Sequence, residues 1–297
     1  MSTRRDFLLA TGAFALGPGL ATRMTQAFDA AAPPVPRPSA DAAAGTAALQ
    51  GVGVQLYMLR NQMRQDPERT LARIAELGFT EIEWWGEWGR TPAQLRAALQ
   101  ANGLRAPSAH YGLDALQPDR IGRTLETAAA MGHGTLIVAS TNAAENGTLD
   151  AWKRTAGIIS EAGRAGRSAG IRTSYHNHDY EFQPLAGSDR VEIFLAETDA
   201  AVVDFELDCY WAFKAGKDPV ALLRRHASRI TMLHLKDSAG GPAHEQRDVG
   251  AGVMDWRAIL TAARAGRVTN VYVEHDNPAD AWATAAAGRA HLRTLGL

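Results

Sequence analysis

Three observations predict an α/β chain folded as a single (β/α)8 barrel. From Leu49 to Leu297, short β-rich runs alternate with amphipathic helical runs in eight pairs. Eight such pairs need roughly 250 residues, the usual size of this barrel. No G-x-G-x-x-G follows the first strand, so the rival open doubly wound sheet loses its main support.

The elements run as follows. Strand one is VGVQLYML (52–59). Its helix opens at Asp66-Pro67, an N-cap followed by proline at the first helical position, carries Leu71, Ile74 and Leu77 on one face, and stops at Gly78. Strand two is TEIEWW, with a helix from Thr91-Pro92 to near Gly103. Strand three is LRAPSAHY, with a helix over about 119–131. Strand four is TLIVAS, with a long helix over about 148–169. Strand five is IRTSYHNH, followed by a helix at 191–197. Strand six is AAVVDFELD, with a helix around 219–227. Strand seven is ITMLHLK, whose helix spans about 255–266. Strand eight is NVYVEHD, and a last helix begins near Asp280.

The barrel domain is placed at 49–297. Residues 1–30 read as a twin-arginine export signal: Arg4-Arg5 precede an apolar stretch too short and too broken by Gly12, Gly17, Pro18 and Gly19 for a stable anchor. Residues 31–48 are a Pro/Ala-rich linker. The expected partner is then the twin-arginine export machinery, and the expected location periplasmic or extracytoplasmic. One cysteine, Cys209, rules out an intramolecular disulfide. A net charge of -1 gives no basic excess for nucleic acid. A homo-oligomer is compatible with all of this.

Barrel enzymes work at the C-terminal ends of their strands. There the sequence places Glu181, Asp208, His234 and Glu274, one after each of strands five to eight, spaced 27, 26 and 40 residues apart. Each alone reads more readily as a solvated loop acid, a helix cap or a hydrogen-bonded core histidine than as a ligand. Together they read as one divalent metal site, whose oxygen-rich set with a single imidazole suits Mn²⁺, Mg²⁺ or Co²⁺ better than a thiolate-loving ion, with Zn²⁺ a further candidate. His176 or His178 is an alternative to Glu181 as the strand-five ligand.

Other residues carry chemistry at the same end. His176 and His178 alternate on strand five, and either could move a proton, bind substrate hydroxyls or support the metal ligands. Lys236 shares a face with His234 and could polarise a carbonyl; the bland alternative is a surface pair with Asp237. His110 and Glu83 end strands three and two. Trp84, with Trp85, Trp88, Tyr57 and Tyr111, could wall a sugar pocket or simply be core. Arg247 could bind a substrate group or pair with Asp248.

The segments YHNHDYEF, DCYW…AGKDP, RITMLHLKD and VGAGVMDW before VYVEHD resemble the sugar phosphate isomerase/epimerase group of the xylose isomerase-like TIM-barrel superfamily. VGVQLYMLR and TLARIAELGFTEIE resemble the opening of the same group, so the likeness runs from about Gly51 to the end. It implies a Glu, Asp, His, Glu set around one metal, often manganese, with Asp208, His234 and Glu274 as the last three. In ketose 3-epimerases of the superfamily the first Glu falls about where Tyr175 stands; this chain has no acid there, and Glu181 is the substitute. The implied activity is isomerisation or epimerisation of a keto- or aldo-sugar through an enediolate, with Glu181 or His176 as base and Glu274 as acid. The alternative is a lyase or dehydratase on a keto-inositol or 3-keto-glycoside, which the extra histidines of YHNH and the export signal favour. The superfamily's DNA-repair endonucleases and a non-catalytic sugar-binding barrel are further rivals.

Overall fold

A computed structural model describes Leu49 and residues 51–297. The export-signal and linker segments, 1–30 and 31–48, lie outside these residues. Eight parallel strands close into a barrel: β1 (Gly51–Gln55), β2 (Glu81–Trp84), β3 (Arg105–Tyr111), β4 (Thr135–Val138), β5 (Arg172–His176), β6 (Val203–Asp208), β7 (Ile230–Leu235) and β8 (Asn270–Val273). Each pairs with its sequence neighbours, and β8 closes on β1 with Gly53 opposite Tyr272. The predicted fold class is therefore the observed one.

Helices lie between the strands: α1 (Arg60–Gln65), α2 (Pro67–Glu76), α3 (Pro92–Ala101), α4 (Ile121–Met131), α5 (Ala143–Asn146), α6 (Leu149–Gly166), α7 (Arg190–Glu197), α8 (Cys209–Lys214), α9 (Pro219–Arg225), α10 (Trp256–Arg264) and α11 (Ala281–Thr294). The predicted caps form as read: Asp66 accepts from Arg69 N, and Thr91 makes a reciprocal capping box with Gln94. The sequence reading missed α1, α5 and α8, which are too short to show a period. Strand one was drawn too long, because the chain turns after Gln55.

Strand alternation sorts the side chains into two layers. Val54, Ile82, Trp84, Val138, Tyr175, Phe205, Leu233 and Val271 are buried in the main core. Ile137, Met232 and Tyr272 form a separate apolar cluster of their own, with the Tyr272 hydroxyl bonded to Ser108 Oγ at 2.9 Å. Gly53 makes room for this plug: a Cβ there would sit 2.5 Å from the Tyr272 ring. At the N-terminal foot, buried Glu81 accepts from Arg105 and Asn270, and buried Asp204 from Arg172.

The segment after β7 is tied down by Asp237. Its carboxylate accepts from the backbone N–H of Ser238, Gly250 and Met254 and from Trp256 Nε1, at 2.7–3.1 Å. A two-stranded ribbon, Asp237–Ser238 with Gln246–Arg247, closes the excursion.

Candidate metal centre

Three of the expected ligands meet at the C-terminal mouth. Asp208 ends β6 directly opposite His234 on β7, and Glu274 follows β8. His234 Nδ1 lies 2.7 Å from Glu274 Oε2 and 3.9 Å from Asp208 Oδ2. His176 ends β5 and brings its Nε2 to 3.8 Å from Asp208 Oδ2. All four are buried. The Lys236 ammonium is inserted among the acids, 2.9 Å from Asp208, 2.8 Å from Glu274 and 2.8 Å from Asp276. Lys236 is thus a buried cation held by three acids, while Asp237 is occupied with the backbone of the loop.

A second cluster lies against the first. Glu206 Oε2 is 3.0 Å from His110 Nε2, 3.0 Å from His176 Nδ1 and 3.3 Å from His234 Nε2. Glu83 Oε2 is 2.9 Å from His110 Nε2 and 2.5 Å from His234 Nε2, and Gln55 and Ser108 donate to the same carboxylate. His234 therefore belongs to both clusters, one ring nitrogen facing each, while His176 belongs to the second and points its Nε2 toward Asp208 of the first.

Charge crowding sets the proton positions. Burial works against ionising Glu274, yet Lys236 and His234 overcome it and hold the carboxyl well below the usual range. Burial dominates at Asp208 and raises it to about 6, against Lys236 and His234. His110 rises to about 9 because Glu83 and Glu206 outweigh its burial. His178 falls to about 4, from burial and then the Lys236 ammonium, so its ring is neutral near pH 7. Among the described residues its Nδ1 has no hydrogen-bond partner.

The remaining expected residues are distributed as follows. Glu181 is buried but is absent from both clusters; it accepts from the Tyr175 hydroxyl at 2.5 Å and from His178 N at 2.8 Å. Tyr175 packs against Trp152 and Phe194, in the layer between strand and helices, and Glu181 goes with it. The strand-five position beside the other ligands thus belongs to His176. Trp84 alternates with Glu83, packs in the main core, and bonds through its indole N–H to Gly86 O, so it is no sugar wall. Arg247 is exposed and pairs with Glu245, not with Asp248 or the clustered acids. His178 stays near the mouth, against Tyr180 and Trp211. Glu206 was missed altogether. Its signal was present, since it stands two residues before Asp208 in VDFELD and so shares that face.

The donor set fits a divalent ion. Ligands about 2.1 Å from one ion lie roughly 3 to 3.5 Å from each other; Asp208, His234 and Glu274 bring their ligand atoms within 4.8 Å of one another, and His176 Nε2 approaches this group through Asp208 at 3.8 Å. Asp208 Oδ2 touches Lys236 without hydrogen-bond geometry, which leaves a buried carboxylate oxygen with no bond of its own. His176, Asp208, His234 and Glu274 would hold the ion.

The xylose isomerase-like TIM barrel family model matches residues 71–295. An inosose dehydratase from Geobacillus kaustophilus (strain HTA426) is 26% identical over 214 residues, covering 65% of this chain and 68% of that one. The chain spans about two thirds of the length of the inosose dehydratases it matches. A sugar phosphate isomerase/epimerase from Parabacteroides distasonis ATCC 8503 superposes with a TM-score of 0.70 at 26% identity, covering 86% of this chain and 98% of that one. A zinc-bound IOLI protein superposes with a TM-score of 0.64 at 14% identity, covering 83% and 98%, a likeness of fold.

Proposed function

The chain belongs to the xylose isomerase-like TIM barrel family, and we propose that it is a divalent-metal-dependent carbon–oxygen lyase or dehydratase acting on a keto-inositol or 3-keto-glycoside. The observation that carries this reading is the identity of the strand-five side chains. Imidazoles stand at the mouth there, while Glu181, the carboxylate expected as the strand-five ligand, sits behind the strand. The likeness to inosose dehydratases supports it. The preferred ion is Mn²⁺.

A bound divalent ion would supply Lewis-acid polarisation of a substrate carbonyl and its neighbouring hydroxyl. The chain's residues account for the rest. Lys236, fixed by three acids, donates to an oxygen that gains negative charge. His178 lies near the mouth with an Nδ1 that no described residue engages, which places it to take the proton from the carbon beside the carbonyl. As the bond from the β-carbon to the leaving oxygen breaks, the same imidazole returns that proton to the oxygen, releasing water or an alcohol. Elimination on one face needs a single proton carrier. Inversion at carbon needs two on opposite faces.

The second reading is an isomerase or epimerase, favoured by the 26% identity to the Parabacteroides protein. The test is incubation of the manganese-loaded protein with keto-inositols, 3-keto-glycosides and ketoses in D₂O. A water-loss product or released aglycone is expected. Deuterated, inverted substrate with no elimination product would replace the lyase reading with the second.

A further inference from the structure

We propose that Glu206 is a positioning residue that fixes the tautomers of two metal-binding imidazoles at once. The inference rests on the reading that the ion sits among His176, Asp208, His234 and Glu274. A neutral imidazole has one lone-pair nitrogen and one N–H. A ring that offers its lone pair to an ion must direct its N–H elsewhere, and the acceptor it finds sets which nitrogen binds.

The geometry gives both rings the same acceptor. His176 faces Asp208 with Nε2 and Glu206 with Nδ1. His234 faces Glu274 and Asp208 with Nδ1, and Glu206 and Glu83 with Nε2. Asp208 and Glu206 lie two residues apart on β6, so one strand supplies an acid to each face of the imidazole pair. Glu206 is fully buried, and its backbone is held in register with His176 on β5 and Met232 on β7. Glu83 backs His234 and His110; for His176 Nδ1 the hydrogen-bond acceptor in place is Glu206 Oε2. With Glu206 present, His176 binds through Nε2 and His234 through Nδ1.

The arrangement predicts that Glu206→Gln, which keeps the shape and removes the charge, weakens metal binding about 10–100-fold. It is read by titrating Mn²⁺ and Zn²⁺ into the metal-free protein. Nitrogen NMR of the zinc-loaded protein should show metal on His176 Nε2 and His234 Nδ1 in the wild type, and mixed sites in Glu206→Gln. Should Glu206→Gln fail to fold, Glu206→Asp keeps the charge one carbon short, and affinity between wild type and the metal-free limit is expected. Wild-type affinity with unchanged ring-nitrogen signals in either variant overturns the proposal. So does metal on the inner nitrogens of the wild type, with two ions per chain. If Asp208→Asn also retains the ion, the mouth site itself is wrong; if Asp208→Asn loses it and Glu206→Gln does not, only the role of Glu206 falls.

Discussion

The foot and the mouth of this barrel both bury acids, under different terms. At the foot each acid has its own partners: Asp204 takes two hydrogen bonds from Arg172, at 2.5 and 2.8 Å, and Glu81 takes Arg105 and Asn270. At the mouth Asp208, Glu274 and Asp276 share one ammonium, and Glu206 Oε1 has no partner. A buried charge without a matched partner is costly. The foot has settled that cost within the fold, whereas the mouth leaves a surplus of negative charge for an ion. The difference separates a stabilising end from a reactive end in one layer of side chains.

The comparison can be broken most decisively at Asp208. Asp208→Asn is expected to abolish bound metal and lower kcat/KM by about 10³-fold or more, while the melting temperature of the metal-free protein holds or rises. Metal analysis and calorimetry check this; a large loss of stability would make the mouth a structural pair like the foot.

Glu181 sharpens the contrast, because it is buried with neither a cation nor the ion site. Burial raises its pKa from 4.5 to about 7 against the hydrogen bonds from Tyr175 and His178 N. Between those values the unfolded chain gives up a proton that the folded chain keeps, so stability falls as pH rises through this window and is flat above it. The effect is at most roughly 3 kcal/mol. Glu181→Gln should flatten denaturation midpoints over the window and stabilise the protein near pH 8. An unchanged slope would refute the assignment.

The smallest effect belongs to the foot. Asp204→Asn is expected to cost about 1–3 kcal/mol in urea denaturation, less than a fully buried pair because Arg172 is 21% exposed. Metal content and kcat should not change. Lost metal would show that the two ends are coupled.

The fold was legible because alternation and capping are local signals: eight β-rich runs, Asp66-Pro67 and Thr91-Pro92 needed no tertiary information. That Asp208, His234 and Glu274 meet was legible for the same reason, since strand ends face the mouth. Strand five was harder. Tyr175 and His176 differ by one position, and which faces inward depends on a register that β4 and β6 impose, with Val138 opposite Tyr175 and Glu206 opposite His176. Glu181 misled because its distance beyond the strand suited a ligand, but its carboxylate is drawn to a tyrosine hydroxyl on the far side of the sheet. Glu206 was overlooked since an acid inside an apolar run has no local reason to be there; its reason is three histidines from three other strands.

Asp237 has a consequence for how this protein can be altered. One carboxylate clamps both ends of the excursion after β7, and Gly252 is confined because a Cβ there would strike it. Between the clamped ends residues 241–243 form an exposed tip, while His244 is tied through its carbonyl to the Tyr210 hydroxyl and through its ring to Phe213, so the tip can change in length and sequence without disturbing Lys236 or His234 beside the clamp. It is a natural insertion point, where a foreign loop could be grafted to retune substrate choice while the catalytic floor stays fixed.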